Sequence, residues 1–508
     1  MNLPADFSDR LSPMLVKELR QGMRTNLFTA AFILLQVFMV LSLMIGAAFS
    51  GGGEDASGGF FWMFIIVTLL GVMPVRGFSA LHKENQINTM DLIQLTRLSA
   101  WRITWGKWLA LASQTLLLVT AVLPYIVLRY YLGGINFVAE LLALLMITLT
   151  SMTFTAVTVG FSAFPSVLLR GAVAVGLLFL IFGLGINSFM FTAMGGRSIF
   201  DELFGASTRG EFWWGLFALV ITMTYICYFF LDLGASRIAP ESANHATRKR
   251  LIGFAYVLLA LTLPLVVLSI PSEVLASMAV IVLLAVWTDA ITEKAALVPS
   301  IFRPFRRKSL YRPWISFLTP GWHTGVRFMV LSGAIALLLI GINPDLASSG
   351  LGSTFFDVEF LTFCFSIVGI LLFPLMIILL FFHAVTFSRY FFGLYVMIQV
   401  CTWLFTAMIS AVSETTRNMG EILYYLVPIP SVVFVASESA GAISEGYLLV
   451  AAIVGVVLCL IVCTVRSRLL FKKMHLILRD LKAENGEAGS APNAPTDLTS
   501  PPTPTTTP

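Results

Sequence analysis

Apolar residues do not alternate along this chain; they come in unbroken runs separated by short stretches that hold most of its charge. The runs fall near 27–48, 60–80, 104–128, 136–162, 166–188, 212–233, 251–270, 274–291, 326–343, 358–383, 390–412 and 446–465. A helix rising 1.5 Å per residue crosses about 30 Å of hydrocarbon in about 20 residues, whereas a membrane-spanning strand shows a two-residue period. The pattern therefore predicts an all-α, polytopic transmembrane helical bundle of about twelve spans. One stretch fits less simply. Within 413–445 the segment "YYLVPIPSVVFVA" reads as re-entrant or interfacial.

Composition agrees with the pattern. Of 508 residues, 58% are hydrophobic and 12% charged, which lies outside the range of soluble domains. The position of the charge then sets an orientation. With a cytoplasmic N-terminus, only Arg129, Arg197, Arg209 and Arg417 of the 32 Lys and Arg residues fall outside; the rest lie in cytoplasmic segments or at the cytoplasmic ends of spans. Both termini are expected to be cytoplasmic. The heaviest clusters, Arg248 to Arg250, Arg303 to Arg312 and Arg466 to Lys473, fall on the inner side, and the outer loop "GGGEDASGG" is acidic. A polar stretch of about 26 residues precedes the first run, so no cleavable signal peptide is expected. Glu140, Asp232, Asp289, His383 and Arg389 sit near span ends, where each is expected to reach water. The five cysteines all lie in apolar runs; Cys459 and Cys463, four apart, read as small packing residues rather than a redox or metal pair.

The domain organisation follows. Residues 1–26 form a cytoplasmic interfacial segment, 27–235 a six-span domain, 236–250 a basic linker, and 251–475 a second six-span domain with a basic cytoplasmic loop at 292–325. Residues 484–508, rich in Pro and Thr, form a disordered tail.

Two polar segments carry candidate chemistry. In "SPMLVKELRQGMR", Ser12 and Pro13 suit a helix start, and Leu11, Leu15, Leu19 and Met23 recur every four residues. Lys17, Arg20 and Arg24 gather on another face, with Glu18 between them, so this helix is expected to lie on the inner membrane surface. A positive flank that orients the first span fits the same residues. The second segment is "HKENQINTMDLIQLTRLSAWRITWGK" at 82–107, whose charges would each cost about 3 kcal/mol near the bilayer centre. Asn88 or Thr89 can cap a short helix with Asp91 at its positive end, and Ser99 can cap the next. Met90, Leu92, Ile93 and Leu95 give it an apolar side, which suits either a docking element or an amphipathic loop lying on the bilayer.

This segment resembles the first intracellular loop of type-2 ATP-binding-cassette (ABC) export permeases. The matching residues are Glu84, Thr89, Met90, Asp91, Leu92, Leu95, Thr96, Leu98, Ser99, Ile103, Gly106 and Lys107; Asn88 and Arg97 depart from the usual Gly and Pro. "PMLVKELRQGMR" is similar to that family's N-terminal interfacial helix. The likeness covers about the first 235 residues. It implies an export permease subunit of a bacterial inner membrane, with ATPase-coupling residues Glu84, Thr89, Met90, Asp91, Leu92, Leu95, Leu98 and Ser99, and interfacial-helix residues Lys17, Glu18, Leu19, Arg20 and Arg24. It also implies a cytoplasmic ABC ATPase subunit as partner, with ATP and Mg2+ bound there and no cofactor on this chain. No second copy of the loop signature occurs in the second half, which points to a homodimer or a second permease subunit.

Other chemistries find no motif. "WGKW" at 105–108 lacks the upstream Gly and hydroxyl residue of a phosphate loop, so ATP hydrolysis by this chain is not expected. No zinc-protease or nucleophile-elbow pattern occurs, no metal site is expected, and no nucleic-acid partner is implied. An ion-gradient-driven carrier and a non-transporting membrane scaffold for an ATPase are the alternative functions. The substrate is not encoded in single residues of apolar walls.

Overall fold

In the computed structural model the described residues are 13–48, 54–81, 99–132, 136–193, 210–240, 243–266, 272–295, 297–299, 301, 315–343, 358–388, 390–415, 429–438 and 445–490. They form helices and short connections, with no strand among them. The helices are α1 (Pro13–Met23), α2 (Asn26–Ala48), α3 (Glu54–Ile66), α4 (Met73–Gly77), α5 (Ala100–Leu132), α6 (Phe137–Ser162), α7 (Val167–Ala193) and α8 (Gly210–Ile238). There follow α9 (Ala246–Val266), α10 (Ser272–Ile291), α11 (Ile315–Leu318), α12 (Trp322–Ile342), α13 (Val358–Phe381), α14 (Phe391–Thr415), α15 (Pro430–Glu438) and α16 (Glu445–Ser490). Among the described residues, ten helices are long and apolar enough to cross a membrane. The predicted runs at 166–188 and 251–270 fall on α7 and α9, outside that set.

Two cores divide the bundle. One joins α2, α3, α5 and α6 around Leu35, Met39, Phe61, Ile65 and Leu118; the other joins α8 to α10, α12 to α14 and α16 around Val286, Trp287, Met329, Leu375 and Tyr395. Helix α8 belongs to both halves, because its opposite side packs closely on α6. That contact depends on absent side chains. A Cβ on Gly160 would meet the Phe230 carbonyl oxygen at 2.3 Å, and one on Gly234 would meet the Gly160 Cα at 3.0 Å. Small residues let helix backbones approach in a setting where lipid offers no hydrophobic drive to associate. Phe164, Leu169, Leu233 and Phe392 continue the seam towards α14, with the Arg237 guanidinium 4.7 Å from the Phe164 ring centroid.

The second span is not one regular helix. Val67–Val72 is π-helical between α3 and α4, and the Ser151 hydroxyl of α6 donates to the Leu69 carbonyl within it. π turns widen the ladder and leave carbonyls open to such partners.

Two expectations change here. Glu140 does not reach for water: it is buried, accepts from Arg129 Nη1 at 2.8 Å and from Trp62 Nε1 at 3.4 Å, and Arg129 stacks 4.4 Å over Phe61. Pairing offsets the cost that an isolated carboxylate would carry. The helical tail is also longer than predicted. Helix α16 runs about 69 Å at 1.5 Å per residue, reaching Ser490 through "LKAENGEA", whose Ala, Glu, Leu and Lys favour helix; residues 491–508 lie outside the described part. Within 413–445, α15 is a short buried helix against α13, α14 and α16, with Ser431 Oγ 2.7 Å from Thr406 Oγ1.

The Gly160 contact gives a direct test. Gly160→Val should lower stability by about 2–3 kcal/mol or more through overpacking, whereas Gly171→Ala, where a Cβ meets nothing within 4 Å, should stay within about 0.5 kcal/mol. Thermal midpoints of the two variants in detergent check this.

Candidate functional site

Segment 82–98 lies outside the described residues, and the residues that bound it are both fixed to the bundle. On one side Leu81 is fully buried, and its amide donates to Ser162 Oγ at 3.2 Å. On the other, Ser99 caps α5: its side chain accepts from the Arg102 amide at 3.4 Å and its carbonyl from the Ile103 amide at 3.2 Å. Leu81 and Ile103 share one apolar cluster with Ala156, Val159, Leu231 and Ile238. Both ends of the loop are thus rooted in α4, α5, α6 and α8.

Helix α1 is clamped to this base. Lys107 Nζ lies 3.1 Å from Glu18 Oε1, with the lysine side chain 4% exposed. Arg76, at the end of α4, donates from Nη2 to the Gly22 carbonyl at 3.0 Å and Thr25 Oγ1 at 3.2 Å, from Nη1 to Gln114, and stacks over Phe28. A Cβ on Gly22 would lie 2.1 Å from the Gln114 amide nitrogen, so a larger residue there would have to displace the Gln114 side chain that Arg76 engages. Of the predicted interfacial residues, Glu18 and Leu19 are half-buried while Lys17, Arg20 and Arg24 are exposed. The helix therefore packs on protein along one side and shows its basic side outward.

Beside the base lies a buried ionic elbow between α8 and α9. Asp232 is wholly buried and meets His245 Nδ1 at 2.9 Å and the Arg248 guanidinium. Arg248 lies 5.3 Å from the Trp101 ring centroid and 5.6 Å from that of Tyr228, while Trp101 and Tyr228 stand 5.4 Å apart. Burial alone lowers the Arg248 pKa, but the hydrogen bonds and charge of Asp232 hold it above the ordinary arginine value. Lys249 Nζ meets Asp289 Oδ2 at 2.6 Å.

Arg250, 1% exposed, enters a socket of oxygens. Its Nη1 donates to the carbonyls of Phe317 at 2.8 Å and Thr319 at 2.7 Å and to Thr324 Oγ1 at 3.0 Å; its Nη2 donates to Glu293 Oε2 at 2.9 Å and the Gly321 carbonyl at 3.2 Å. The socket needs Gly321, whose φ of 126° disfavours any side chain, and Gly325, whose Cβ would lie 2.0 Å from the Ala290 carbonyl oxygen.

Within the basic linker at 236–250, Lys249 and Arg250 are buried members of ion pairs, because Asp289 and Glu293 from α10 and its end stand opposite them. Asp232 and Asp289 likewise do not reach water. Sequence reasoning missed Trp101, Arg248 and Asp232 as one group, since they lie on three helices; the acids at 232, 289 and 293 were the available signal. Of the predicted coupling residues, Ser99 is at the loop's return; Glu84, Thr89, Met90, Asp91, Leu92, Leu95 and Leu98 lie outside the described residues. Among the described residues no group of three or more His, Cys, Asp or Glu side chains is placed to hold a metal ion.

No family model, curated protein or solved structure matches the chain. The geometry alone therefore describes the site: a loop base tied to an N-terminal helix by one buried ion pair, and to the second half of the bundle through Trp101 and Arg248.

Two stability measurements follow. Lys107→Met should cost about 2 kcal/mol by leaving Glu18 half-buried without this partner, and adding Glu18→Leu should recover more than half of the loss; a double-mutant cycle reads the coupling. Arg250→Gln should cost about 3 kcal/mol, more than Arg248→Gln, because the Arg248 side chain is 44% exposed. Thermal midpoints at fixed detergent concentration rank the variants.

Proposed function

We propose that the chain is the membrane-spanning permease subunit of an ABC exporter, coupling ATP hydrolysis by a separate ATPase subunit to substrate translocation. In this reading segment 82–107 is the coupling loop, with Glu84, Thr89, Met90, Asp91, Leu92, Leu95, Leu98 and Ser99 engaging the ATPase. Both termini face the cytoplasm of a bacterial inner membrane, and two permease copies or a second permease complete the assembly.

One observation carries the mechanical part. The residue two places after Ser99, Trp101, packs its ring against the Arg248 guanidinium of α9 and the tilted Tyr228 ring of α8, and Arg248 is held by Asp232. A force on the loop acts on α5 at its first turn. Through Trp101 it then reaches the elbow that begins the second half, and through Lys107 and Glu18 it reaches α1. Such a rigid base suits a rigid-body switch between two packings better than local bending. Asp232 and Asp289, which an ion-driven carrier could use, are already neutralised by Arg248 and Lys249, which favours the ATP-driven reading.

The test is affinity purification from mild detergent with a tag on the C-terminal tail, followed by mass spectrometry and an ATP-hydrolysis assay of the eluate. A nucleotide-binding subunit should co-purify with the native chain, and both its recovery and the activity should fall at least ten-fold when Asp91 and Leu92 are replaced together by Ala. Absence of any ATPase under conditions that preserve a known permease complex would overturn the proposal and move an ion-gradient-driven carrier to the front.

A further inference from the structure

The sequence pairs Cys459 and Cys463 at a four-residue spacing, which in a helix puts them on one face with Cβ atoms about 5–6 Å apart. On that pattern alone they read as packing residues. The structure adds a third sulfur. Met376 of α13 brings its thioether Sδ to 3.7 Å from Cys459 Sγ, across the closely packed α13 to α16 contact. Both cysteines are 1% exposed, while Cys227 and Cys364 are half-buried and Cys401 is exposed. Pro374 lies inside α13 two residues before Met376, where it removes one ladder hydrogen bond and loosens the local helix.

We infer that Cys459, Cys463 and Met376 form an intramembrane binding site for a soft monovalent metal ion of the Cu(I) and Ag(I) class. Three arguments carry it. The first is spacing: with metal to sulfur bonds of about 2.3 Å at about 110–120°, two ligands of one ion stand roughly 3.8–4.0 Å apart. The Cys459 to Met376 separation is close to this before any ion binds. The second is ligand type. Thiol and thioether sulfurs select soft ions, both cysteines share one buried apolar cluster with Leu372, Leu375, Leu379 and Tyr395, and among the described residues no group of three or more His, Cys, Asp or Glu is placed to hold a harder ion.

The third argument is charge. Binding replaces one S–H bond by one S–metal bond: Cys–SH and M+ give Cys–S–M and a proton, which leaves to water with no change of oxidation state. One thiolate and one monovalent cation sum to zero, so the occupied site avoids the cost of net charge in a low dielectric. Cys463 and the Met376 thioether then complete a three-coordinate shell as neutral donors. The site is independent of the ATPase-coupled reading, since it lies on α13 and α16 and shares no residue with the loop base.

The test uses the full chain purified in detergent under a thiol-free, chloride-free buffer. Ag(I), which needs no reductant, is titrated in, and tightly held silver is counted by elemental analysis after desalting. The native chain should retain one more equivalent than Cys459→Ser/Cys463→Ser, and Met376→Leu, a near volume-conserving change, should weaken that equivalent at least ten-fold in competition with a thioether chelator. A matching Cu(I) titration against a bathocuproine competitor should give the same order of variants. Equal retention by the native chain and the double variant would overturn the inference, and so would an unchanged affinity in Met376→Leu. If the double variant does not insert, Ag(I) protection of Cys459 and Cys463 from a membrane-permeant thiol reagent decides: protection lost in Met376→Leu supports the site, and no protection in the native chain overturns it.

Discussion

A guanidinium withdrawn from water must find an acceptor for its donors or leave the interior. Arg250 meets most of that demand, all but its Nε, with the carbonyls of Phe317, Thr319 and Gly321, a threonine hydroxyl and a carboxylate. The connection before α12 takes its shape around it. Gly321 adopts a backbone angle other residues avoid, Gly325 presses its backbone onto α10, and Thr324 Oγ1 donates to the Gly321 carbonyl at 2.8 Å. Where α9 begins, where α10 ends and where α12 enters the bundle are therefore consequences of one buried cation.

The same elbow settles how the two halves relate. Arg248, Lys249 and Arg250 point to three different partners on the surrounding helices, so three consecutive side chains tie α9 to α8, α10 and the α12 entry at once. Helix α8 supplies the other link, backbone to backbone with α6 at Gly160 and Gly234 and side chain to side chain with the second core. Two six-span units joined by a flexible linker would move separately. Here three buried or half-buried ion pairs and the packing of α8 on α10 cross the join.

Apolar run length made most helices legible in the sequence, because a membrane permits few ways to satisfy backbone groups. It did not distinguish a charge that sets orientation from one that builds structure. Arg76, Lys107 and Lys249 look alike as residues near the ends of apolar runs, and only the position of Gln114, Glu18 and Asp289 on other helices separates their roles. The N-terminal helix was legible from its four-residue period, yet its packing on α5 was not, since Gly22 signals close approach only once Gln114 is known to lie opposite. Tertiary pairing across 38 residues, as between Arg76 and Gln114, to 89, as between Glu18 and Lys107, is the part a one-dimensional reading loses.

The π-helical stretch at Val67–Val72 also sets a phase. Each residue of an α-helix turns about 100° and rises 1.5 Å, so tightening that stretch to α-helical pitch would rotate everything after it relative to α3. Arg76 follows the stretch by four residues. Its aim at Gly22, Thr25 and Gln114 is thus fixed by a winding irregularity one turn away and not by its own neighbours. The second span works as a key cut to two angles: its first part is indexed to α7, its last part to α1 through Arg76, and the offset between them is held by a hydroxyl from α6.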